Sequence, residues 1–68
     1  MAELDPIYHR LKRIEKSWHS DNDFDRRIDL NIVTELLRRL DDAEPSPEVD
    51  DIRRHLQELL IEITDSLP

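Results

Sequence analysis

Apolar residues open the chain at Leu4, Ile7, Leu11, Ile14 and Trp18, spaced 3, 4, 3 and 4 residues apart. At about 100° per residue this spacing draws one narrow stripe along a helix, with Tyr8 at its margin. Asp5 before Pro6 marks the start, because aspartate can accept the first free N–H groups and proline suits the first helical position. The apolar phase is lost at His19-Ser20-Asp21-Asn22, where turn-forming residues gather. A first helix is therefore expected over about residues 6–19.

The next apolar set is broader: Ile28, Leu30, Ile32, Val33, Leu36, Leu37 and Leu40, with Phe24 at the entrance. On a helical projection these cover an arc of about 200°, against the roughly 100° that one packing face needs. A second helix over about 22–42 is thus expected to touch two neighbours. Asp21, Asp23 and Asp25 at its start and Arg38 and Arg39 near its end complement the helix dipole.

Pro45 cannot continue that helix and pushes Glu44 out of the α region. Ser46-Pro47 repeats the cap-plus-proline device, and Val49, Ile52, Leu56, Leu59 and Ile63 resume the narrow stripe. A third helix is expected over about 47–66. Two narrow-striped helices against one broad-faced helix make an all-α fold, a small three-helix bundle in a single domain. The rival is a hairpin of the second and third helices that dimerises into a four-helix core, with the first helix as an arm.

Composition sharpens this picture by exclusion. With 68 residues and no cysteine, the chain lacks disulfides and thiolate zinc sites, so a partner chain is the natural source of extra stability. Without glycine it cannot form a P-loop, a dinucleotide-binding fingerprint or a nucleophile elbow. A net charge of −7 opposes binding to nucleic acid or to an anionic membrane. No apolar run approaches the roughly 18 residues of a membrane span. The N-terminal Met-Ala-Glu-Leu-Asp-Pro lacks the features of a signal peptide. A cytoplasmic location is the default expectation.

Several chemical patterns fail on their own terms. Asp21, Asp23, Asp25 and Asp29 fall at positions 1, 3, 5 and 9 of an EF-hand-like loop. Arg26 then occupies the glycine position and Ile32 the bidentate glutamate position, so helix-starting acids explain the cluster better. His9, His19 and His55 have no zinc-ligand spacing. The serines sit at or near helix ends, where capping accounts for them, and no nucleophile–base pair is set in a concave site. No enzyme activity, cofactor or small-molecule substrate is expected.

Candidate contact residues remain. Trp18 and Tyr8 are aromatic anchors, while Leu60 and Ile61 extend the third helix's apolar surface toward a second chain. His9, Lys12, Arg13 and Lys16 form a basic side on the first helix, suited to docking an acidic partner. Elsewhere the Arg doublets have acids at helical spacing, as in Glu35–Arg39 and Asp50–Arg54. Asp29 projects into the second helix's apolar arc, where a buried carboxylate would need a cation.

The leading expectation is a non-catalytic protein–protein interaction module, a small subunit, adaptor or regulator, with a homodimer as a natural form. The alternative is an acidic inhibitor, antitoxin-like, whose acids at 21–25 and 41–51 imitate phosphates in a partner's basic groove. Direct DNA binding by a helix-turn-helix lacks both the tight turn and an unopposed basic recognition face.

Overall fold

Ser46 shows how local chemistry sets the elements. Its backbone is extended, its Oγ accepts a hydrogen bond from Val49 N at 3.2 Å, and Pro47 takes the first helical position. Helix α3 (Pro47–Ser66) starts there. Asn22 plays the same part for α2 (Asp23–Asp41), its Oδ1 accepting from Asp25 N at 2.8 Å. The computed structural model describes residues 4–68. Helix α1 (Leu4–Ser17) begins ahead of the Asp5–Pro6 pair, so Asp5 lies in its first turn rather than capping it. Proline is tolerated there because first-turn N–H groups lack intrahelical acceptors. The capping position, with Met1–Glu3, lies outside the described residues. Trp18–Ser20 tightens into a 3-10 turn that ends α1.

The three helices pack as a bundle 35 × 18 × 16 Å in extent. α2 touches both α1 and α3, most extensively α3, as its broad apolar arc requires. Helix α1 is no free arm: Ile7, Leu11 and Ile14, with Trp18 just beyond, enter the same core as Val33, Leu36, Leu40, Val49, Ile52, Leu56, Leu59 and Ile63. No described polar or charged residue is fully buried. Leu11, Val33, Leu36, Leu40, Leu56 and Ile63 are almost wholly removed from water, each worth about 1.5–3 kcal/mol of transfer free energy. Across the α2–α3 hairpin Arg53 Nη2 donates to Asp41 Oδ1 at 3.2 Å. This pair, rather than Asp50–Arg54, is the contact that Arg53-Arg54 makes; Glu35 does meet Arg39, at 3.8 Å.

The broad arc of α2 is only partly used. Val33, Leu36 and Leu40 are buried, and Leu30, Ile32 and Leu37 pack at the core's edge. Phe24 remains 71% exposed and Ile28 41% exposed. Two neighbouring helices cover the C-terminal half of the arc and leave its N-terminal flank open.

Candidate interaction surfaces

The expected contact residues do not form one patch. Trp18 is a core residue, 7% exposed, with its ring 4.0 Å from that of His19. Its position in the 3, 4, 3, 4 stripe accounts for this burial. Tyr8 stands at the α1–α3 seam beside Leu4, Asp5, Glu48, Asp51 and Ile52, with Lys12 Nζ 5.4 Å from its ring centroid. Leu60 is half-buried against the core's edge. Ile61 is exposed and projects from α3 about 160° away from the core stripe. Tyr8 and Ile61 therefore lie toward opposite ends of the bundle, since Leu4 and Tyr8 neighbour Glu48 and Ile52 while Trp18 neighbours Leu59 and Glu62.

The basic side of α1 survives as a surface. His9, Arg13 and Lys16 are exposed, and Lys12 is partly drawn down by Glu15 at 3.6 Å. Arg10 belongs with them. It was legible from its spacing, three residues before Arg13, but its flank faces α2 rather than the middle of the basic side. Arg10, Arg13, Ile14 and Ser17 of α1 line an open groove with Asp29 and Ile32 of α2. Neither arginine forms an ion pair among the described residues.

Asp29 is the unusual group in that groove. It is half-buried, and its Oδ2 is shielded from solvent with no hydrogen-bond partner. The cation expected beside a buried carboxylate is not its closest electrostatic influence. Burial first, then the neighbouring Asp21 carboxyl, then the charge of Asp25, push Asp29 up to about 7. The helix begins at Asp23, so Asp23 projects to a different side of its axis from Asp25 and Asp29, and the acids do not wrap one point as they would in a cation-binding loop. Among the described residues no three His, Cys, Asp or Glu side chains converge as a metal site. His55 lies 3.9 Å from Asp51 on the surface of α3.

Beside the groove runs a row that sequence reasoning assigned to packing. Phe24, Ile28 and Ile32 recur every fourth residue, so they are neighbours along one flank of α2. The signal was the excess arc itself: about 200° of apolar surface is more than two narrow-striped neighbours can cover. No helix among the described residues is long and apolar enough to cross a membrane. No protein-family model, curated protein or solved structure matches this chain.

Proposed function

We propose that this protein is a non-catalytic protein–protein interaction module that works by presenting helix faces. The observation that carries this reading is the contrast between a fully apolar core and the large apolar side chains left outside it. Phe24, Ile61, Tyr8 and Ile28 are 71%, 60%, 43% and 41% exposed. A small chain that encloses its core and still shows aromatic and branched side chains to water has surface suited to burial by another protein. The basic side of α1 adds a charged rim that would orient such a contact.

The acidic-mimic reading draws on Asp41, Asp42, Glu44, Glu48, Asp50 and Asp51 around the α2–α3 turn. It is weakened by Arg53, which pairs with Asp41 within that cluster, and by the basic band on α1. A tagged pull-down from nuclease-treated native lysate, washed at moderate salt, separates the two. The helix-face reading expects a stoichiometric protein that survives the wash and is lost with Phe24→Ala/Ile28→Ala. Capture only at low salt, of a protein with a basic groove and without dependence on Phe24 or Ile28, would replace it with the mimic.

A further inference from the structure

We propose that the α1–α2 flank is a two-fold homodimer interface in which α2 helices of two copies lie antiparallel beside Ile28. This deepens the interaction-module reading by naming the surface and its occupant, and it rests on that reading.

Two features of the flank point to a second copy, and a third sets how tightly it is held. The first is the apolar row. With a two-fold axis passing by Ile28, the row folds onto itself: Ile28 meets the partner's Ile28, and Phe24 meets the partner's Ile32. An isologous contact requires this self-complementarity, in which each residue's counterpart is offered back by the same surface.

The second is charge. α1 runs antiparallel to α2, with the Trp18 carbonyl accepting from Arg26 Nε at 3.4 Å and Ile14 beside Asp29 and Ile32. Arg13 and Arg10 therefore sit alongside the stretch of α2 that follows Ile28, while Asp21 and Asp25 precede it. The two-fold that superposes Ile28 on itself carries the partner's Asp25 opposite Arg13 and the partner's Asp21 opposite Arg10. None of these four residues has an ion-pair partner among the described residues of its own chain. A flank of one sign would repel its copy, whereas this one holds both signs in the order that an antiparallel pairing needs.

The third is size. The long side of the bundle measures 35 × 18 Å. An axis at Ile28 lies toward one end of α2, so the two copies overlap over only part of that length. The contact is less than the roughly 800 Å² per partner of a standard interface, which makes this a weak dimer. The pairing would also lay a second α1–α2 layer over the first at this end of the bundle.

The test is sedimentation velocity and equilibrium on the full chain, over roughly two decades of micromolar concentration. The wild type is expected to pass from monomer to dimer. Phe24→Ala and Ile28→Asp should each weaken the dimer at least about tenfold, with helical circular dichroism retained because both side chains lie outside the core. Ile61→Asp, on the far face of α3, should leave it unchanged. Arg13→Glu and Asp25→Lys should each self-associate poorly, yet an equal mixture should recover dimer, because one of the two symmetry-related pairs stays native and the other is reversed.

A chain that stays monomeric throughout overturns the two-fold while leaving the interaction-module reading to the pull-down. A dimer broken by Ile61→Asp and indifferent to Ile28→Asp overturns the assignment of the flank. Failure of the mixed variants to associate overturns the antiparallel register.

Discussion

The two halves of α2 have similar apolar content and opposite fates. In the C-terminal half Val33, Leu36 and Leu40 are at most 1% exposed. In the N-terminal half Phe24 and Ile28 face water, and a carboxyl, Asp29, occupies a position that the helical phase directs inward. The difference lies in the neighbours. The C-terminal half is clasped between the start of α1 and the start of α3, both carrying branched side chains at that level. The N-terminal half meets the tapering end of α1, where the helix tightens into a 3-10 turn and arginines replace apolar residues on the flank. Hydrophobic content alone does not decide burial; the supply of opposing surface does.

The largest expected effect falls in the closed half. Leu36→Ala removes a core side chain 1% exposed, and it should cost about 2–5 kcal/mol. A bundle this small has little more than that to lose, so most of the chain should be unfolded in urea titrations begun near room temperature. Phe24→Ala in the open half should stay within about 0.5 kcal/mol when measured on the monomer at low concentration. Equal losses at the two positions would show that Phe24 is packed in solution and would dissolve the contrast.

Asp29 gives the next effect, and its sign is fixed by its protonation. The folded chain holds this carboxyl near 7, whereas the unfolded chain holds it near the ordinary aspartate value of about 3.9. Between those values the folded state binds the extra proton, so this residue's contribution to stability falls as pH rises from about 4 to above 7. Asp29→Asn removes that dependence. The variant should match the wild type near pH 4 and exceed it at pH 8 by about 1–2 kcal/mol, after discounting the shift for a half-exposed group. Thermal melts across this range check it. A wild-type-minus-variant difference that stays flat with pH would place Asp29 in water and remove the open half's one electrostatic strain.

These contrasts also mark what the sequence made legible. The α3 cap was readable because Ser46-Pro47 satisfies a free N–H locally, whatever the tertiary context. Asn22 did not stand out from the polar run 20–23, any member of which could begin α2. The buried positions on α1 and α3 followed from narrow stripes that have only one way to pack. The broad stripe of α2 was ambiguous: its width predicted two neighbours without saying which edge would be left over. Arg10 and Phe24 acquire meaning only when α1 is laid antiparallel against α2, a juxtaposition that no local spacing encodes. Trp18 is the opposite case: its aromatic character suggests an anchor, while its stripe position places it in the core.

The capping residues compare the two halves again at smaller scale. Asn22 and Ser46 each accept one backbone N–H, so Asn22→Ala and Ser46→Ala should each cost about 1 kcal/mol. Their consequences should differ in place. Hydrogen exchange in Ser46→Ala should quicken at the start of α3 against a core that still holds it, because Val49 is buried immediately beyond the cap. In Asn22→Ala it should quicken through the whole first turn and onward toward Ile28, since no buried apolar side chain anchors that stretch of α2.

The smallest effect belongs to the Arg53–Asp41 contact. Asp41 is largely exposed, so Arg53→Ala should lose no more than about 0.5 kcal/mol, and that loss should shrink further in salt. The value of measuring it lies in where it sits. Arg53 closes the clasped half of the hairpin from outside. If its loss proved as costly as a core truncation, the closed half would owe its order to charge pairing across the α2–α3 seam. A loss that is small and salt-screened leaves Val33, Leu36 and Leu40, with the helices that cover them, as the cause.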